Sequence, residues 1–247
     1  DELARFCVGS AHACGGPRGG ITLPPGTISM SAFDGVCSVD AAGDVRTHTA
    51  AGVAQVPAAH GATRCRSGVG YCALPASGAP TCWADGVERL LVTQSGREVD
   101  LDDGLGVATR RAAAEGSVLV DLIPFGESVC GVLRDGHVVC WTSWQESREV
   151  CRRELVGIAD VTQLELVGEY GCAREASGRV VCWLVSTCDV PLRAVEVLSS
   201  GAESIAVGFH YGCALVTDGR VRCWGTMRDP NAVATNPDHS MLFDVPL

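Results

Sequence analysis

The sequence predicts an all-β fold, a β-propeller of six to seven blades spanning residues 1–247 as a single domain. Three observations predict it. A ten-residue Cys spacing recurs, always with Gly at the sixth position and Trp after the second Cys. The copies follow one another at intervals near those of four-stranded blades. The chain is also rich in the residues of strands and turns, with 30 Gly and 47% apolar residues among 247.

The clearest copies are Cys72–Cys82 with Trp83, Cys130–Cys140 with Trp141, Cys172–Cys182 with Trp183 and Cys213–Cys223 with Trp224. A β-hairpin with a three-residue loop accounts for this spacing. The loops are 76–78, 134–136, 176–178 and 217–219, ending in Gly78, Gly136, Gly178 and Gly219. The third loop position of a type I turn with a G1 bulge needs a left-handed residue, which Gly adopts without steric cost. Counted outward from such a loop, the two Cys oppose each other across the ladder. Opposed side chains of a narrow pair have Cβ atoms about 4.5–5.5 Å apart, close to what a disulfide needs.

Two degenerate copies share the frame. Cys37 is followed by the loop 41–43, with Thr47 in the second Cys slot. Leu90 is followed by the loop 94–96, with Asp100 in that slot. Cys7 and Cys14 read as a shortened hairpin. Gly68, Gly126 and Gly168 stand four residues before the first Cys, Gly86 four before Leu90, and Gly208 five before Cys213. The stretches 117–123 and 158–167 read as strands leading into hairpins. The gap from Cys72 to Leu90 is short for a blade. The Leu90 hairpin is either the outer half of the Cys72 blade, giving six blades, or a truncated seventh. The C-terminal segment 241–247 resembles a leading strand, and joining it to the N-terminal hairpin would close a ring without exposed edges.

The segment from Phe209 through Cys213, Asp218, Gly219 and Cys223 to Trp224-Gly225 resembles the repeat of the regulator of chromosome condensation family, in its bacterial, cysteine-bearing, secreted variant. The likeness is good in the last three repeats and poor before Cys72. It implies a propeller, typically of seven blades, whose members mostly bind other proteins. They include a nuclear nucleotide-exchange factor for a small GTPase and a secreted bacterial inhibitor of β-lactamases. The family's Gly-Gln-Leu-Gly segment after Trp-Gly is missing, since Trp224-Gly225 is followed by Thr-Met-Arg-Asp. Nothing matches a GTPase-binding surface, so exchange activity is not carried over.

Fourteen Cys, even in number and so spaced, point to disulfides and an oxidising compartment, secreted, periplasmic or at the cell surface. Structural zinc sites use shorter Cys spacings. Cys7–Cys14 is the natural fifth pair by position. Cys151 and Cys188 both follow Cys-Trp hairpins of adjacent repeats, which makes a loop-to-loop bond plausible, and Cys37–Cys65 is left by elimination. Trp83, Trp141, Trp183 and Trp224 recur at one frame position, which favours packing between blades over a binding surface. The net charge of −10, with 19 Arg and no Lys, argues against a nucleic-acid partner. No apolar run is long enough to cross a membrane.

Candidate ligand-binding residues lie at the position three before the hairpin Cys: Asp34, Glu127, Glu169 and, allowing for one insertion, His210. On the channel mouth of a propeller they would form a ring able to bind Ca²⁺ or a basic group of a partner. The alternative is that they are solvated loop residues. Trp144 lies outside the frame and is either a loop anchor for a partner or a cover for the Cys151 loop. The six His share no metal-ligand spacing, and no nucleophile elbow or phosphate loop is present. The reading is an extracellular protein-binding module, monomeric, held to its partner through loops on one face. The rivals are a secreted hydrolase or lyase at the channel mouth and a lectin.

Overall fold

The computed structural model describes residues 6–7, 13–15, 21–22, 26–32, 36–49, 52–68, 70–76, 80–83, 119–125, 128–143, 150–185, 192–208, 211–225 and 243–245. They form strands and turns, with one short 3₁₀ turn at Pro57–Ala59. The chain divides into two compact units.

The first unit holds three sheets. One is β1 (Phe6–Cys7), β2 (Ala13–Gly15) and β3 (Ile21–Thr22). The next is β4 (Thr27–Ala32), β5 (Val36–Asp40), β6 (Val45–Thr49) and β7 (Gly52–Gln55). The third is β8 (Ala62–Ser67), β9 (Tyr71–Pro75) and β10 (Thr81–Trp83). The second unit holds three four-stranded sheets. These are β11 (Leu119–Phe125), β12 (Ser128–Leu133), β13 (Val138–Ser143) and β14 (Val150–Glu154); β15 (Val161–Val167), β16 (Tyr170–Glu175), β17 (Val180–Leu184) and β18 (Val195–Leu198); and β19 (Ala202–Gly208), β20 (Tyr211–Val216), β21 (Val221–Gly225) and β22 (Phe243–Val245). In every sheet the strands lie in chain order and pair antiparallel.

The hairpins have the geometry their glycines require. Val216 N–H donates to Arg220 O (2.9 Å) and Gly219 N–H to Val216 O (2.8 Å), with Gly219 at φ 82°. The hairpins ending at Gly43, Gly136 and Gly178 repeat this pair of bonds and this φ. This is a three-residue loop closed by a turn and a left-handed bulge. The glycines answer a second demand as well. A Cβ on Gly178 would stand 2.6 Å from Gly201 N, and on Gly136 2.5 Å from Asp160 N. The chain entering the next sheet touches the hairpin tip there, and Ala202 N–H and Val161 N–H donate to Gly178 O and Gly136 O.

The Cys residues oppose each other in register, as Cys72↔Cys82, Cys130↔Cys140, Cys172↔Cys182 and Cys213↔Cys223. All four pairs are disulfides with Cα atoms 4.0–4.1 Å apart. A fifth, Cys37–Cys65, joins β5 to β8 with Cα atoms 6.2 Å apart. Across the β5–β6 ladder Cys37 faces Thr47 instead. Cys151 is also disulfide-bonded, to a partner outside the described residues. Cys188, the 8–12 segment between Cys7 and Cys14, and the whole Leu90 copy lie outside them too.

The disulfide and the Trp alternate in sequence, so they fall on opposite faces of a sheet. In the second unit the disulfide Cys130–Cys140 packs with Trp183, Leu164 and Val181 of the following sheet. Cys172–Cys182 packs with Trp224, Ile205 and Ala214 in the same way. In the first unit Cys37 and Val39 pack with Trp83, Tyr71 and Cys65. One sheet's disulfide face thus meets the next sheet's tryptophan face. Trp141, Trp183 and Trp224 are 1%, 2% and 1% exposed, which makes them packing residues.

The strands β4, β8, β11, β15 and β19 each carry a bulge at one frame position, between Thr27 and Ser29, Ala62 and Arg64, Leu119 and Asp121, Val161 and Gln163, and Ala202 and Ser204. The leading strands differ slightly from expectation. β15 begins at Val161 rather than Ile158, because Gly157 (φ 83°) and Asp160 (φ 52°) turn the chain just before it. β11 runs on through Pro124, which an outermost strand tolerates.

Candidate functional site

Chain-order antiparallel pairing gives each sheet two unlike ends. One end collects the second-to-third-strand hairpins and the entry of the next sheet. The other collects the connections from first to second strand and from third to fourth.

At the hairpin end the tips at Gly43, Gly136, Gly178 and Gly219 are alike, three-residue loops locked by backbone hydrogen bonds, and the described charges there are matched locally. Arg179 donates from Nε to Glu196 (2.7 Å) and from Nη1 to Glu175 (2.9 Å) and Gly157 O (3.1 Å). Glu196, then Glu175, hold its guanidinium pKa above the ordinary value against some desolvation. Arg220 grips Asp218 (2.9 Å from Nε) and lowers its carboxyl pKa. Arg46 does the same for Asp40. His137 lies 3.1 Å from Glu154, and His60 2.7 Å from Asp44.

The opposite end is where the predicted ligand-binding residues fall. Of these, Glu169 is described. It sits, exposed, in the tight turn between β15 and β16 beside Gly168 (φ 62°), and its carbonyl accepts Val185 N–H at 2.6 Å. Asp34, Glu127, His210 and Trp144 lie in the corresponding connections of the chain, outside the described residues. The connections from third to fourth strand differ in length. They span 50–51, 144–149, 185–194 and 226–242, whereas the described hairpin loops are all of three residues.

Two polar features were not anticipated. The Gln163 amide pairs with the next sheet's leading strand, donating to Ile205 O (2.7 Å) and accepting from Ile205 N–H (3.0 Å). Ser29 Oγ, at the same bulge position in the first unit, accepts Cys65 N–H (3.4 Å). The signal was the polar residue that follows each bulge. The second feature is His48, directly after Thr47 and therefore in the slot that other copies give to Trp. It is 2% exposed and its Nε2 lies 2.9 Å from Ser38 Oγ. Among the described residues no three His, Cys, Asp or Glu side chains gather as a metal site.

Repeated antiparallel sheets packed disulfide face to tryptophan face define a protein of the β-propeller class. Residues 202–229 match the model of the regulator of chromosome condensation (RCC1) repeat. No curated protein matches the chain in sequence. Solved structures do match its fold. Human WBSCR16 is 12% identical, with a TM-score of 0.58 over 90% of this chain and 67% of that one. Prp20p of Saccharomyces cerevisiae, described with its binding to Gsp1p and histones, is 13% identical, with a TM-score of 0.52 over 84% of this chain and 62% of its own. The WD40 repeats of RRP9 are 12% identical, with a TM-score of 0.57 over 95% of this chain and 74% of that one. The chain thus spans less than two thirds of Prp20p. At these identities the likeness is one of fold. No described helix is long and apolar enough to cross a membrane.

Proposed function

We propose that the chain is an extracellular protein-interaction module, a ring-closed RCC1-like propeller of six or seven blades that holds its partner through the connections at one end of its sheets. The observation that carries this reading is the contrast between the two ends. The tips at Gly43, Gly136, Gly178 and Gly219 share one loop length and one pattern of backbone bonding, and their charges are paired locally. The other end carries connections that vary from sheet to sheet on the same scaffold. Variable loops on a rigid frame are where recognition residues concentrate. The propeller neighbours support the choice of a protein partner, since one is described by its binding to other proteins. The disulfides support an oxidising compartment. The acidic chain favours a partner with a basic patch.

A photo-reactive amino acid placed at Gln145, in the β13–β14 connection, or at Ser177, in a hairpin tip, tests the proposal. Each variant is irradiated with the extracellular proteins of its source. Protein adducts from position 145 and none from 177 are expected. Adducts confined to position 177 would overturn the assignment of the binding end.

A further inference from the structure

We infer that His48 is an acid-sensitive latch in the β4–β7 sheet: protonation of its buried ring loosens the β5–β6 ladder below neutral pH. The repeat itself supplies the argument. In the ladder Cys37 faces Thr47, and the next pair is Val36↔His48. The equivalent pairs in other copies are Tyr71↔Trp83, Val129↔Trp141, Gly171↔Trp183 and Gly212↔Trp224. This copy alone among the five fills the slot with an ionisable ring, and the slot is a buried one.

The surroundings suit the neutral imidazole and not the cation. His48 is 2% exposed and Ser38 1%. Nε2 shares a hydrogen bond with Ser38 Oγ (2.9 Å), while buried Nδ1 has no partner among the described residues. A serine hydroxyl can donate to the neutral ring, but a protonated ring would bury a charge and a second donor. The strands flanking β6 bring Asp40 and Ser38 from β5 and Gln55 from β7. Asp40 is committed to Arg46, to Ala42 N–H and to Asp44 N–H. The charge that acts on His48 is the Arg46 guanidinium, which opposes a second cation. The described residues of β1–β3 carry no Asp, Glu, His, Lys or Arg.

Desolvation first, and Arg46 second, hold the ring's pKa below the ordinary value of 6.5. The sign follows from linkage. The unfolded ring binds a proton more readily than the folded one. The stabilisation is therefore complete above the unfolded value and is lost as pH falls through it.

Amide hydrogen exchange of the intact, oxidised protein at about pH 7.5 and about pH 5 tests this, with each amide corrected for its intrinsic rate. Protection at 36–39 and 45–48 should fall severalfold at the lower pH, because the unfolded ring takes up the proton that the folded ring resists. The tips at Gly136 and Gly178 serve as internal references and should change less. His48→Trp restores the residue of the other copies and His48→Gln keeps a polar ring-sized group. Either variant that folds should lose the acid-specific change at 36–48. An undiminished pH response in both variants, or a wild-type ladder equally protected at the two pH values, would overturn the latch.

Discussion

Trp224 donates its indole N–H to the Tyr170 hydroxyl across two sheets, at 3.0 Å in a buried setting. The ring lies over Gly212, where an added Cβ would stand 2.5 Å from Trp224 Cζ2. Gly171 lies under Trp183 in the same way, at 2.7 Å. These glycines are required by space rather than by φ. Gly212→Ala should therefore cost about 1–3 kcal/mol through overpacking, measured by urea denaturation. A variant as stable as the parent would show that the ring has room to move. Burial raises the Tyr170 pKa to about 12, against a smaller lowering by the Trp224 hydrogen bond. The folded state thus prefers the neutral phenol. Its contribution is complete below the unfolded value of 10 and is lost as pH rises from there towards 12. Tyr170→Phe should flatten the alkaline loss of stability between these values, and an unchanged alkaline limb would assign it to other groups. Asp160 makes a third case. It holds φ 52° at the position before a leading strand, where Gly26, Gly61 and Gly201 hold φ 79–85°. Asp160→Gly should relieve left-handed strain and stabilise by up to about 1 kcal/mol, offset in part by the greater freedom of Gly in the unfolded chain.

At the scale of the element, the hairpin and the sheet-to-sheet staple make different demands on the chain. The four hairpin disulfides close separations of 10 residues, and Cys37–Cys65 closes 28. Loop-closure entropy assigns about 2.7 kcal/mol to the shorter loop and about 3.6 kcal/mol to the longer. The paired variant Cys37→Ala with Cys65→Ala should therefore lose about 1 kcal/mol more than Cys172→Ala with Cys182→Ala in denaturant unfolding. The reverse order would show that packing of the hairpin sulfurs outweighs chain entropy. The hairpins were legible in the sequence because they are local: Gly219, Cys213 and Cys223 fix loop, register and cross-link within one short segment. The bulges, the Gln163 clasp on Ile205 and the burial of His48 were not, because each depends on what a neighbouring sheet presents. β7 was missed for a related reason. Gly52, Val53, Ala54 and Gln55 are all exposed, so no apolar alternation marks the strand. Of the predicted ligand-binding positions, Glu169 could be placed through its turn beside Gly168, since chain order alone fixes that connection. The convergence of several such carboxylates is a matter of tertiary arrangement, which spacing along the chain does not encode.

For the molecule as a whole, redox state and compartment are linked through the sulfurs. Cys37, Cys130, Cys140 and Cys172 are fully buried in the clusters packed between sheets. Reduction would replace a bond at van der Waals-excluded distance by two thiols that need more room, in interiors packed as densely as organic crystals. Reductant should thus act on the fold and not merely on individual hairpins. The 14 Cys of the chain would form seven bonds if every one is paired. Intact mass of the native protein should then fall 14 hydrogens below the fully reduced mass, and an alkylating reagent should add nothing until reductant is present. Thermal unfolding under reductant should shift down by many degrees, since each short-loop disulfide contributes about 2–4 kcal/mol. If several Cys alkylate in the native protein without reductant, the chain matures in a reducing compartment. The extracellular placement of the module would fall with that result, while the hairpin register would stand, because the glycine-closed loops set it independently of sulfur.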